Sequence, residues 1–414
     1  MKLKLFIASL KGRQISAGVF RILTRNFEYF CNLALFPLAY LIASIYQVVT
    51  NRMIRVCEID TKHIGGWVGT LDSYLRRKQF QHGQNFKDIF LVNPKVVSNK
   101  FFFDLMRSKV QVITNATLRI LLTTLARIPS KFRLFGPEEV LKLNDPSFQK
   151  PTSIQWFSHE QHIEGRDLLR RMGITIGQSW YVCFSARDSA YNENLTRQFD
   201  AYKLHHQCRD SDINTCIKAI EYIISKGGHV IRMGSVVKNR VAYSHPHFID
   251  YPFSIFKSDF ADFYLACHCS FAIGNASGAI DLSRITDVPM AMVNYYLWGF
   301  MDIGRRNRLI IPKLIKHKDS GRFISIKEYF ALFNKPTSML ALTYAMEKLG
   351  LIFEDNSEDD ILEITVAMYG RFIERSISDD EWARWQMGNP QALAINELAI
   401  MWPKFIERHP HLLN

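Results

Sequence analysis

From Ser179 to Asn294 short apolar runs alternate with amphipathic ones, and this alternation constrains the fold more than any other feature. "YVCFSA" (181–186), "HVIRMG" (229–234), "HFIDY" (247–251), "SFAIG" (270–274) and "VPMAMVN" (288–294) read as strands. Between them, "SDINTCIKAIEYIISKGG" places Ile213, Ile217, Ile220 and Ile224 at helical spacing, with Asp210 or Ser211 as cap and Gly227 as stop. "SDFADFYLACH" (258–268) reads as a second helix, and "NASGAIDLSRIT" (275–286) as a loop entering a third. Apolar strands separated by helices predict an α/β fold with a parallel, doubly wound sheet. A weaker version of the pattern precedes it. Strands are expected at 53–59, 87–94 and 110–113 and helices at 99–108 and 115–127, with residues 130–175 holding the boundary between two domains.

A chain of 414 residues is too long for one ordinary core. The seven cysteines are odd in number and mostly in apolar contexts, which predicts reduced thiols and a cytoplasmic setting. Cys267-His268-Cys269 lacks a second ligand pair at zinc spacing, so no metal site is expected. The net charge of +13 is concentrated at the N-terminus, where residues 1–55 carry eight lysines and arginines against Glu28 alone. These flank "YFCNLALFPLAYLIASIYQVV" (29–49), an apolar, aromatic-rich stretch interrupted by Pro37. Basic residues beside such a stretch suit an anionic membrane surface. The stretch starts too late for a cleaved signal. It spans the bilayer, forms a re-entrant or interfacial helix pair, or is a plain buried helix, and the free cysteines favour the re-entrant or interfacial form. No groove-reading motif accompanies the charge, which argues against a nucleic-acid partner.

In an open α/β sheet, ligands bind beyond the carboxyl ends of the strands. Arg187, Asp188 and Tyr191 follow the first strand of the second half, while Arg232 and Gly234-Ser235 close the next. Asp250-Tyr251 follow the third, and Asn275-Ala276-Ser277-Gly278 link a strand to a helix. Small residues at a helix start expose backbone N–H groups to an anion, and an arginine opposite can grip the same group. Together they describe a diphosphate site that needs no metal.

The stretches "YVCFSARDSAY", "CRDSDINTCIKAIEYIISKGGHVIRMGS", "IDYPFSIFKSDFADFYLACHCSFAIGNASG" and "DVPMAMVN" cover most of 180–295. They resemble a glycosyltransferase family of bacterial surface-polysaccharide and glycosylation gene clusters. A weaker match lies in "HIGGWVGTLDSYL" (63–75). The resemblance implies a GT-B-like architecture, with two Rossmann-like domains whose parallel sheets face a cleft, plus N-terminal membrane-associated helices and C-terminal helices. The implied divisions are a membrane-associating segment at 1–50, an acceptor domain at 51–175, a nucleotide-sugar domain at 176–330 and a helical extension at 331–414.

By the same resemblance, Arg187 and Ser277-Gly278 would hold the diphosphate of a nucleotide sugar. Asp250-Tyr251 would lie near the nucleotide or sugar, and Arg232 belongs to the same motif. The acceptor would be a glycan or lipid-linked glycan at the cytoplasmic face of the bacterial inner membrane, with no cofactor beyond the donor. Two histidines of the family pattern are missing, replaced by Ser185 and Gly66. Asp72 is then the first candidate for general base and His63 the second, with Asp188 orienting Arg187. The competing expectations are a pyruvyl or other group transferase on the same glycans, or a non-catalytic partner of a polysaccharide assembly complex.

Overall fold

The computed structural model describes residues 37–38, 40–42, 44–80, 86–126, 133–134, 154–188, 190, 208–298, 307–333 and 339–414. The chain divides into two compact units. One takes Met1–Thr61, Gln81–Val97 and Met106–Val140, and the other Lys62–Phe80, Ser98–Leu105 and Leu141–Asn414. The chain therefore crosses between units several times, rather than once near residue 176.

The first unit holds a four-stranded parallel sheet in the order β3-β2-β1-β4, built from β1 (Met53–Glu58), β2 (Phe86–Leu91), β3 (Val112–Ile113) and β4 (Arg133–Leu134). Ile54, Val56, Ile89 and Leu91 form its core. Tyr46 packs on this core, as do Leu121 and Leu122 of a helix at Ala116–Ala126. Residues 37–50, where described, are helical. No helix among the described residues is long and apolar enough to cross a membrane. The N-terminal part of the 29–49 stretch and the basic residues before it lie outside the described residues.

The second unit contains a six-stranded, wholly parallel sheet. Its strands are β5 (Tyr181–Ser185), β6 (His229–Arg232), β7 (Phe248–Asp250), β8 (Phe271–Gly274), β9 (Met290–Tyr295) and β10 (Arg308–Pro312). The spatial order is β7-β6-β5-β8-β9-β10. Numbered within the sheet this is 3-2-1-4-5-6, the doubly wound order whose direction reverses between its first and fourth strands. β5, β6 and β8 are buried at every position, as their apolar sequences require.

Helix α1 (Ile64–Phe80) belongs to this second unit, although its sequence position places it among the N-terminal elements. Its small face lies against α7 (Gly278–Arg284). A Cβ on Gly278 would stand 2.5 Å from Ile64 Cγ2 and 3.0 Å from the Gly65 nitrogen, so only glycine permits this approach. At the far end, Arg76 donates to Asp72 (2.8 Å) and Asp287 (2.7 Å) and ties the helix to the turn after α7.

Two further findings differ from the sequence reading, and a third concerns an acidic run near the C-terminus. A helix at His159–Arg171 fills the presumed boundary, opened by a capping box between Ser158 and Gln161. The run at 211–228 begins as a 3-10 turn capped by Asp212, with α5 confined to Ile217–Ser225. The acidic run around Glu354–Glu363 is not uniformly a solvated face, because Asp360 is 3% exposed. Asp360 caps its helix through Ser357 and accepts from Arg408 Nε and His409 Nε2, both at 3.0 Å.

Burial pushes the Asp360 carboxyl up, but the bonds from His409 and Ser357 prevail and hold it at about 2. Against an ordinary ~3.9, that depression is worth roughly 2–3 kcal/mol, present above pH ~4 and lost as pH falls toward 2. Asp360→Asn is expected to destabilise the protein by about 2 kcal/mol at pH 7 and to flatten its acid unfolding below pH 4, read by urea melts across pH.

Candidate functional site

The reversal of the sheet between β5 and β8 opens a crevice at their carboxyl ends, and the chain fills its edges with polar groups. A cavity of 370 Å³ lies there, entirely within the second unit. That volume suits a small ligand. Its walls include His63, Ser185, Arg187, Asp188, Arg209 and Ser277.

One side chain organises the rim. Asn275, leaving β8, is 1% exposed. Its Oδ1 accepts from the Arg187 backbone N–H at 3.0 Å, while Nδ2 donates to the Arg209 carbonyl (2.7 Å) and to Ser211 Oγ (2.9 Å). The loops after β5 and before α5 are thereby pinned to the end of β8. Arg209 reinforces the joint by donating from Nη2 to the Ala276 carbonyl at 2.9 Å.

Two arginines and a carboxylate come together at this rim. Arg187 Nη1 stands 3.8 Å from Asp210 Oδ1, beyond hydrogen-bond length, and both side chains are largely buried. Burial and repulsion from Arg209 lower the Arg187 guanidinium to about 10. Burial also lifts the Asp210 carboxyl to about 6, against the pull of Arg187 and Lys313. Among the described residues, Arg209 Nε and Asp210 Oδ1 are buried without a hydrogen bond. Of these two atoms, Arg209 Nε is a donor that an entering anion could engage.

The hydroxyls of Ser185 and Ser277 meet at 2.8 Å at the base of the site. Only one O–H can serve that contact, so the other hydrogen is available to a ligand. Ser277 makes no side-chain cap to α7. Ser185 thus contributes a hydroxyl to the cavity wall.

Of the residues singled out in the sequence, His63, Arg187, Asp188, Gly234, Ser235, Ser277 and Gly278 line the cavity. Asp188 binds backbone N–H groups on two segments. Its two carboxylate oxygens accept from the backbone N–H groups of Ala190 (3.0 Å) and Lys238 (2.7 Å), fastening the 235–238 loop to the rim. Asn275 acts behind the wall, as described.

Arg232, Asp250 and Tyr251 do not line this cavity. Arg232 is 1% exposed, and its Nη1 donates to Asp250 (2.9 Å) and to the Asn239 carbonyl (2.9 Å). Tyr251 is fully buried and donates to Asp262 at 2.7 Å. Asp72, offered by the sequence as a base, is fully buried in the ion pair with Arg76 and does not reach the cavity. Tyr191 lies outside the described residues. Cys267 and His268 face separate surroundings: Cys267 Sγ donates to the Leu282 carbonyl, while His268 Nδ1 lies 2.8 Å from that of Tyr264.

Sequence reasoning missed Arg209 and Asp262 as wall residues. Arg209 stood within the quoted "CRDSDI", but nothing local ties it to β8, far along the chain; that link is made by Asn275.

No family model matches the sequence, and no curated protein matches it. Among solved structures, the chain is similar to a glycosyl transferase family 9 protein from Veillonella parvula at 10% identity, with 76% of this chain and 97% of that one covered and a TM-score of 0.41. It is similar to the E. coli heptosyltransferase WaaC with ADP at 13% identity, covering 63% and 93% with a TM-score of 0.33. A third similar structure is the wall teichoic acid polymerase TagF, at 10% identity, 93% and 98% coverage and a TM-score of 0.30.

Gly278→Val would drive a side chain into Ile64 and the Gly65 backbone. It is expected to displace the wall that α1 supplies and to weaken any ligand of the cavity at least tenfold, while the strands of the sheet remain folded. Circular dichroism, alongside calorimetric titration with nucleoside diphosphates, checks both halves of that outcome.

Proposed function

We propose that the protein is a glycosyltransferase of GT-B-like type, moving a sugar from a nucleoside-diphosphate donor to a glycan or lipid-linked glycan. The observation that carries the reading is the pair of arginines, Arg187 and Arg209, lining a cavity at the switch point of a doubly wound sheet, with Arg209 Nε buried without a hydrogen bond among the described residues. A diphosphate seated there would meet two guanidiniums and the spare hydroxyl hydrogen of the Ser185–Ser277 pair. In sugar transfer the departing group is the nucleoside diphosphate. Cations fixed in place beforehand stabilise the charge that develops on it without reorganising at the moment of reaction. On this reading the arginines supply that charge themselves, and turnover persists in the presence of a chelator.

Burial of the guanidinium explains why Arg187 suits the task. An arginine in water gains little from a phosphate, because both are already solvated. A guanidinium lowered by burial and by a like charge regains what it lost when the anion arrives.

We propose further that the protein works at a membrane surface. The helical residues 37–50 expose Leu38, Leu41, Ile42, Ile45, Val48 and Val49, with Val48 at 83% and Val49 at 76%. Their spacing follows one face of a helix. With the basic sequence around them, they suit an anionic phospholipid surface on the cytoplasmic side, where a lipid-linked acceptor would be met.

Arg187→Ala is expected to weaken binding of UDP, GDP or ADP at least tenfold, whichever the wild type prefers, with the melting temperature little changed. Unaltered affinity in a folded variant contradicts the diphosphate assignment. The double substitution Leu41→Glu with Ile45→Glu is expected to lower partitioning onto phosphatidylglycerol-containing vesicles at least tenfold in sedimentation. Equal partitioning of variant and wild type removes the membrane role.

A further inference from the structure

Three carboxylates line the cavity, Asp188, Asp262 and Asp281, and they differ in what occupies them. Both oxygens of Asp188 accept backbone N–H groups. Asp281 pairs with Arg284 at 3.3 Å, and its Oδ2 lies so close to α1 that a Cβ on Gly65 would stand 2.4 Å away. Asp262, in the first turn of α6 (Asp259–His268), is different. Its Oδ1 accepts from Tyr251 Oη at 2.7 Å, while Oδ2 has no hydrogen bond among the described residues. Its side chain is 18% exposed.

The surroundings of Asp262 hold it firmly. Tyr251 is fully buried; its Oη accepts from the Ser258 N–H at 3.1 Å, and its one hydrogen meets Asp262 Oδ1 at 2.7 Å, nearer than the Ser258 carbonyl at 3.1 Å. Lys257 Nζ stands 3.9 Å from Oδ1 and donates to the carbonyl of Gly234, another residue of the cavity wall, at 3.0 Å. An acidic residue in the first turn is ordinarily sufficient as a partner for the helix dipole. That role requires neither a phenol donating to one oxygen nor the other oxygen left open beside a cavity lined by two arginines.

We infer that Asp262 takes the proton from the acceptor hydroxyl during transfer, an inference that rests on the glycosyltransferase reading of this cavity. The acceptor oxygen forms its bond to the anomeric carbon as the bond from that carbon to the diphosphate oxygen breaks. The electron pair leaves on the nucleoside diphosphate, held by Arg187 and Arg209. The hydroxyl proton passes to Asp262, which becomes a neutral carboxylic acid and afterwards returns the proton to solvent. Geometry assigns the role here and not to Asp72, whose carboxylate is fully buried against Arg76.

Burial raises the proton affinity of the Asp262 carboxyl and neighbouring Asp259 adds to it, while Lys257 and Tyr251 oppose. The result is a stronger base than an ordinary aspartate. Turnover is therefore present above this raised value and lost as pH falls through it. Removing the Tyr251 hydrogen bond raises the value again, so Tyr251→Phe moves the acid limb to higher pH.

The test uses the full chain and its Asp262→Asn variant. Two quantities are measured: affinity for UDP, GDP and ADP, and release of nucleoside diphosphate from a panel of the corresponding nucleotide sugars. The expected result is a loss in kcat of at least 100-fold, affinity within threefold of wild type, and disappearance of the acid limb. A variant that keeps a third of its turnover overturns the inference. So does one that loses affinity and turnover together, since Asp262 would then be a donor-binding group. A wild type that binds no nucleoside diphosphate overturns the transfer reading and this inference with it.

A second measurement needs no donor. In protein labelled with 13C at aspartate carboxyls, the resonance absent from Asp262→Asn is expected to titrate above the ordinary ~3.9 and to move higher in Tyr251→Phe. Titration at or below that value overturns the assignment.

Discussion

Where β5 and β8 lie side by side, the chain leaves the sheet toward different neighbours: β5 leads on to β6, and β8 to β9. The loops at their carboxyl ends are therefore drawn apart, leaving a gap that neither crossover fills. Polar backbone exposed in such a gap must be satisfied. Asn275 does this by bonding the loop after β5 and the segment before α5 at once. Every other feature of the site depends on that joint. It fixes the Arg187 backbone, brings Arg209 alongside, and leaves Ser277 against Ser185. The closure of α1 onto α7 through Gly65 and Gly278 then walls the gap on a further side.

The arrangement concentrates positive charge where water is scarce. Arg187 and Arg209 repel one another, and Asp210 stands too far from Arg187 for a hydrogen bond. Elsewhere in the same unit, buried charges are paired at hydrogen-bond distance, as in Arg232 with Asp250 and Arg76 with Asp72 and Asp287. A well-matched buried pair costs little to maintain once formed, whereas a poorly matched one persists only if the fold over-determines it.

Much of the second sheet was legible in the sequence because its strands are buried on both faces and so are written as apolar runs. Their spatial order was not, since it depends on pairings between segments far apart in the chain. The helix at His159–Arg171 escaped notice among prolines, although Ser158 and Gln161 carried the capping signal. At the site, Arg187, Ser277 and Gly278 were visible because they follow strands directly. Asp72, Arg232 and Asp250 looked equally available, yet each is taken by a partner that no local pattern reveals. The opposite error concerned Asp262, which reads as one more acidic residue at a helix start. Only the fold shows that its neighbour Tyr251 claims one oxygen and leaves the other open.

The central claim is that the cavity between the ends of β5 and β8 receives a diphosphate. A crystal structure of the protein with bound UDP, GDP or ADP tests this most directly. The account predicts diphosphate oxygens within about 3 Å of the Arg187 guanidinium and of a hydroxyl of the Ser185–Ser277 pair. A nucleotide bound elsewhere on the chain, with these groups unchanged and the cavity empty, would contradict it.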